Sequence, residues 1–319
     1  MKNRIIVILS LVLIFSITLL TACQAAHDSS VTSTAESAEE TRAPKEVEVV
    51  ADADPVALAR DILASPGKVY VLGNGSGEVK AALDVNQDGV SETVSVKGRD
   101  SAGYDFAVDE AVQELAYLGS AEDTYEWDLV AVSPDGELIL IGINTRTAGN
   151  SSSALNLYIY DGAGLTGVFS EAVDILDEST WIDADEITAK KQTSAPLVNH
   201  VLFRWTADEN GKYQAAYDDM YDFLDENTIE LYATVPLYSA PSADSEKTAD
   251  IGPQKVSFLK TDLGIEKNKN GMSAFLLGGA QCWMYLRTES GQEGWVQIGD
   301  FVMTGEGEMN WFAAYGFLD

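Results

Sequence analysis

From Val69 onward the chain is written in short runs of β-branched and aromatic residues, broken every few positions by Gly, Asn and Asp, and that punctuation restricts it to a sheet-based fold. Val69 to Leu72, Glu92 to Lys97, Leu138 to Ile143 and Leu155 to Tyr160 each read as strands. Two hairpins are legible locally. Tyr158-Ile159-Tyr160-Asp161-Gly162 leads into Leu165 to Phe169. Leu202 to Thr206 is joined to Tyr213 to Tyr217 by Asp208-Glu209-Asn210-Gly211, where Asn-Gly supplies the positive φ of a tight turn. One segment breaks the pattern: Pro55 to Leu63 carries Val56, Ala59, Ile62 and Leu63 at helical spacing and is closed by Pro66-Gly67, which predicts one short helix.

Charge and residue usage exclude several classes of function. The 20 Lys+Arg stand against 51 Asp+Glu, a formal net charge of -31, so phosphate backbones are repelled and nucleic acid is not expected as a partner. Two Cys and two His rule out a disulfide scaffold, a zinc ribbon or a multi-His metal centre. There is no GxSxG elbow and no HExxH, and among so many carboxylates a pair spaced for glycoside hydrolysis arises by chance. No enzymatic constellation is expected. His27 reads as a solvated linker residue, His200 as a structural histidine beside Val198, Val201 and Leu202, and Cys282 as a small buried hydrophobe next to Trp283.

At the N-terminus Lys2 and Arg4 precede an apolar run from Ile5 to Leu20, the order of a secretory signal peptide. The run falls just short of the ~17–25 residues that span a bilayer as a plain helical anchor. It ends at Leu20-Thr21-Ala22-Cys23, which resembles the lipobox of bacterial lipoproteins. That resemblance implies cleavage before Cys23, a diacylglyceryl thioether on its sulfur, and a mature protein anchored to, but not crossing, the extracytoplasmic face of the bacterial cell membrane. From Gln24 to Asp54 the composition turns to Ser, Thr, Ala and Glu with few large apolar residues, too little to offset ordering entropy, and a disordered tether is expected over 24–54.

Asp84-Val85-Asn86-Gln87-Asp88-Gly89-Val90-Ser91-Glu92 places oxygen-bearing side chains at positions 1, 3, 5 and 9 and Gly at 6, a spacing that lets a loop curl around a hard cation. Position 12 is Ser95 and a strand follows, so an EF-hand is a poor match. The segment instead resembles the calcium loop of FG-GAP and related β-propeller-like repeats. The resemblance implies Ca2+ held by Asp84, Asn86, Asp88 and Glu92 with the Val90 carbonyl. The alternative is an Asn/Asp/Gly-rich turn that binds nothing. Asp128 to Glu137, ending in Asp135-Gly136-Glu137, looks like a second, degenerate copy.

Beyond the acidic run Asp218 to Asn227, short strands alternate with turns at Ile229 to Ala233, Val235 to Tyr238, Lys255 to Lys260, Cys282 to Arg287 and Gly294 to Ile298. Pro236 to Pro241, Lys255 to Leu259, Trp283 to Thr288 and Gly294-Trp295-Val296, with a tight turn at Glu289 to Gln292, resemble the bacterial SH3-like module. The segment Asp262 to Gln281 is a departure from that pattern. Such modules often bind cell-wall peptidoglycan, which places Tyr238, Trp283 and Trp295 at a ligand face, although in so small a module aromatic side chains also serve as core. The tail Asn310 to Leu318 is apolar enough to dock on a domain surface.

The expected architecture is therefore mainly β. A propeller-blade-like or sandwich antiparallel domain over 55–227 precedes an SH3-like β-barrel over 228–319, after a signal peptide over 1–23 and the tether. Residues 55–227 are too few for a closed propeller of six or seven repeats. The expected function is a surface-anchored binding module for peptidoglycan or another extracytoplasmic ligand. The alternative is an envelope scaffold that packs a partner protein.

Overall fold

A computed structural model describes residues 45–50, 53–99, 103–116, 125–147, 153–192, 200–224, 228–231, 234–262 and 283–297, all within one compact unit that begins at Pro44. The leader with Cys23, His27, Cys282 and the tail Asn310 to Leu318 lie outside the described residues. The fold is mainly β, with several antiparallel sheets and, among the described residues, one helix and no closed barrel. That helix, α1 (Pro55–Leu63), starts where Asp54 accepts a hydrogen bond from the Ala57 backbone N–H at 2.8 Å, with Pro55 in its first turn. It buries Leu58, Ala59 and Ile62. No helix among the described residues is long and apolar enough to cross a membrane.

Strand β1 (Val47–Val49) pairs in parallel with β2 (Val69–Gly75). Three four-stranded meanders then follow in chain order. The first comprises β3 (Val79–Leu83), β4 (Glu92–Arg99), β5 (Gly103–Val108) and β6 (Ala111–Leu115). The second, β7 (Tyr125–Val132), β8 (Leu140–Thr147), β9 (Ser153–Tyr160) and β10 (Leu165–Glu171), is extended by β2 pairing antiparallel to β7. The third is β11 (Trp181–Ile182), β12 (Glu186–Gln192), β13 (His200–Ala207) and β14 (Tyr213–Ala216).

Alternation along the strands of the second sheet sorts its side chains into two cores. Tyr70, Leu72, Leu129, Ala131, Ile141 and Ile143 pack with Val94, Val96, Tyr104 and Phe106 of the first sheet and with Leu58 and Ile62 of α1. Val69, Val71, Val130, Val132, Leu155 and Leu157 pack with Ile187, Ala189, Phe203 and Trp205 of the third. The second sheet is thus the middle layer of a stack, buried on both faces. Val69 to Leu72 and Leu129 to Val132 accordingly read as continuous apolar runs where a one-sided sheet would alternate. At ~1.5–3 kcal/mol for each large apolar side chain removed from water, these two interfaces dominate the stability of the region.

The last sheet runs β15 (Tyr221–Asp222), β19 (Lys255–Thr261), β20 (Trp283–Thr288), β21 (Glu293–Gln297), β17 (Val235–Tyr238), β18 (Lys247–Ile251), with β16 (Thr228–Glu230) also paired to β19. Leu231, Val235, Leu237, Ile251, Val256, Phe258, Met284, Leu286 and Val296 form its core.

Three local features differ from expectation. Residues 47–49, inside the span expected to be tether, form β1, because Val47 and Val49 reach the edge of β2 and the Val50 N–H donates to the Val71 carbonyl at 3.0 Å. Tyr221 and Asp222, inside the acidic run before Thr228, pair with Thr261 and Lys260 of β19. Asp128 is not part of a loop. It lies buried in β7, where its carboxylate takes a bidentate pair of hydrogen bonds from Arg146, both 3.1 Å, and one from Asn144 Nδ2 at 3.2 Å.

Candidate functional site

The loop between β3 and β4 is built by its own hydrogen bonds. Asn86 Oδ1 accepts from the Asp88 N–H at 3.0 Å and Asp88 Oδ1 from the Val90 N–H at 2.8 Å, two Asx turns in succession. Gln87 and Gly89 occupy the left-handed region at φ 63° and 87°, a conformation Gly adopts freely and Gln does not. The two ends are tied by carboxylates: Glu92 Oε2 accepts from the Val85 N–H at 2.8 Å, and Asp84 Oδ2 accepts from the Gly89 N–H at 3.1 Å.

Asp84 is 3% exposed and Glu92 5%, so both acids are largely withdrawn from water. The second oxygen of Asp84, Oδ1, is buried with no hydrogen-bond partner. Such an orphan costs ~1–3 kcal/mol, and more for a charged group, unless something supplies positive charge. Burial pushes the Glu92 carboxyl above its usual range. The Val85 hydrogen bond opposes that shift, and the charges of Asp88 and Asp84 add to it. The Val90 side chain is 66% exposed at the loop tip. Asp84, Asn86, Asp88, Val90 and Glu92 therefore occupy one tight loop, but among the described residues no group of three or more His, Cys, Asp or Glu side chains is placed to hold a metal ion. The orphaned Asp84 oxygen is the feature that fits a hard cation.

The Ser133 to Glu137 turn between β7 and β8 has a similar shape without such an atom. Ser133 Oγ accepts from the Gly136 N–H at 2.9 Å, and Asp135 Oδ1 accepts from the N–H groups of Glu137 at 2.8 Å and Leu138 at 3.2 Å. This turn lies against the first loop, since Gln87 Nε2 donates to the Glu137 carbonyl at 3.1 Å. A Cβ at Gly162, in the β9–β10 turn, would come within 3.3 Å of Asn86 Nδ2. Burial raises the Tyr160 hydroxyl pKa, with Asp109, Glu92, Asp161 and Asp88 adding to the shift, so acids from three turns surround one ring.

The other expected residues meet on the last sheet. Met284, Leu286 and Val296 face the core, so alternation places Trp283, Tyr285 and Trp295 on the opposite face. The registers Lys260↔Tyr285, Tyr285↔Trp295 and Trp295↔Tyr238 line up one row across four strands. Lys260 Nζ sits 4.8 Å from the centre of the Tyr285 ring and 5.8 Å from that of Trp295. Tyr285 and Trp295 are 5.1 Å apart at 59°, and Tyr238 meets Trp283 edge-on at 5.5 Å. Trp283 is 6% and Trp295 7% exposed, whereas Tyr238, Tyr285 and Lys260 are half-buried and reachable. Tyr285 also donates to Glu293 Oε2 at 3.0 Å. Gly294 permits the row, because a Cβ there would lie 2.9 Å from Leu237 Cβ.

The sequence reading named Tyr238, Trp283 and Trp295 and did not name Tyr285 or Lys260, which share their face of the sheet. The alternation of Trp283-Met284-Tyr285 carried the signal for Tyr285, whereas Lys260 enters the row only through the β19–β20 register. His200 opens β13, and its backbone carbonyl accepts from the Leu224 N–H at 2.8 Å. No protein-family model, curated protein or solved structure matches the chain.

Proposed function

We propose that this chain is a non-enzymatic binding lipoprotein of the bacterial envelope, anchored through Cys23 at the extracytoplasmic face of the membrane, that holds a cell-wall (peptidoglycan) ligand with the aromatic row of its last sheet. In this reading the three meanders are propeller-like blades in an open stack and the last sheet is an SH3-like module. The observation that carries the function is the row Lys260–Tyr285–Trp295–Tyr238, with aromatic rings and a cation on the face turned away from the core. Aromatic residues presented with a nearby charge are what small β modules use to hold extended ligands.

The test is co-sedimentation of the full-length protein with purified peptidoglycan. Wild type should pellet with the wall. Tyr285→Ala combined with Lys260→Met should stay in the supernatant with an unchanged circular-dichroism spectrum, because both side chains are partly exposed. A wild-type protein that never pellets with peptidoglycan but is retained with solubilised envelope proteins would replace this reading with the scaffold.

A calcium ion in the β3–β4 loop belongs to the same proposal and rests on the orphaned Asp84 Oδ1. Asp84, Asn86, Asp88, Glu92 and the Val90 carbonyl would hold it, and the ion would supply the positive charge that the buried acids lack. Extracellular loops of this kind bind with Kd ~10⁻⁴–10⁻³ M.

A further inference from the structure

We infer that the β3–β4 loop works as a cation-dependent latch between the first and middle sheets, and that Gln87 is the residue that closes it. The inference rests on the calcium reading of that loop. Its own observation is the contact that leaves the loop: Gln87 Nε2 donates to the Glu137 carbonyl, across the boundary between the two sheets.

Gln87 sits at φ 63°, where a residue with a side chain is disfavoured, between Asn86 and Asp88, two of the expected cation ligands. Backbone in that region persists where surrounding contacts hold it. The Glu137 bond is one such contact, and Gly162 of the neighbouring β9–β10 turn lies near enough to Asn86 that a Cβ there would meet its Nδ2 at 3.3 Å. The left-handed turn at Gln87, between the two Asx turns of Asn86 and Asp88, is therefore supported from the middle sheet. Coupling between two sites is reciprocal. If the middle sheet holds the loop ready for a cation, the cation in turn holds the loop against the middle sheet. The packed interface between these layers makes that a fixed seam rather than a sliding one.

Gln87→Asn tests the role of the side chain. Asn tolerates the left-handed conformation but is one methylene too short to keep the bond to the Glu137 carbonyl. With purified full-length protein titrated with CaCl2, isothermal calorimetry reads binding, and hydrogen exchange reads the backbone amides of 84–92 and of 133–139. In wild type, calcium should slow exchange in both segments. In Gln87→Asn, calcium should still slow 84–92, with affinity weakened about two- to tenfold, as expected for loss of one ordinary hydrogen bond. The calcium-dependent slowing at 133–139 should disappear. Binding with slowed exchange at 84–92 but none at 133–139 in wild type would overturn the latch and leave the calcium site standing. Persistence of the 133–139 response in Gln87→Asn would overturn the assignment to Gln87. No heat and no change in exchange anywhere would overturn the calcium site and the latch together.

Discussion

Glu92 is held in an environment that disfavours its charge, with desolvation outweighing the hydrogen bond from Val85 and two neighbouring acids adding to the effect. A carboxyl whose folded pKa lies above its unfolded value contributes stability that is fully present below the unfolded pKa and is lost as pH rises through the folded one. At neutral pH and without calcium, Glu92 therefore weakens the fold. Glu92→Gln keeps an oxygen for the Val85 N–H and removes the charge. Its melting temperature in chelator should exceed wild type at pH 7, and the two should converge as pH falls below about 4, close to the unfolded pKa of a glutamate. Calcium should then raise the melting temperature of wild type and not of the variant. A variant less stable than wild type at pH 7 in chelator would show that the charged carboxylate earns its place through the Val85 bond.

The strands of the middle sheet depend on close approach as much as on apolar content. A Cβ on Gly142 would lie 2.2 Å from the Asn156 carbonyl oxygen, a backbone atom of the adjacent strand that cannot step aside. Gly142→Ala should cost ~3 kcal/mol or more, at the upper end of overpacking penalties. Denaturant unfolding followed by tryptophan fluorescence would measure it, and a change under about 1 kcal/mol would show that β8 and β9 can separate locally. Twelve of the twenty-one described strands were legible in the sequence, because alternation and Asn/Asp/Gly turns are local signals, whereas β3, β5, β6, β7 and β12 were not read. The hairpins at Asp161-Gly162 and Asn210-Gly211 lie where the turn residues put them, between β9 and β10 and between β13 and β14. The loop residues of the candidate cation site were legible for the same reason. The order of the sheets was not, because the pairing of β2 with β7 and the contact of Gln87 with Glu137 join residues about fifty to sixty positions apart. β1 was hidden by the polar average of the segment around it, although Val47 and Val49 have the spacing of a strand.

Over the whole molecule the charge is uneven. Residues 24–227 carry a net charge of -27 and residues 228–319 only -6, so the aromatic row lies in the less acidic part of the chain. Bacterial walls are commonly polyanionic, and repulsion between exposed charges is screened beyond ~8 Å at physiological ionic strength. Binding of the full-length protein to purified wall should therefore strengthen as salt rises from 10 mM to about 150 mM, the range over which the Debye length shrinks severalfold. Weakening over that range in the same sedimentation assay would show that attraction between charges, and not the rings, holds the wall. The pairing of β2 with β7 also sets a schedule for folding. A chain that emerges N-terminus first presents β1 and β2 as a bare edge until β7 arrives behind the whole first meander. Closing a loop of about fifty residues costs ~3.5 kcal/mol of chain entropy, so that edge stays open while the first meander collapses on its own. During that interval Val69-Tyr70-Val71-Leu72 is an apolar strand with one edge unpaired, and a chain arrested near residue 124 would carry that edge permanently exposed, ready to pair with its like.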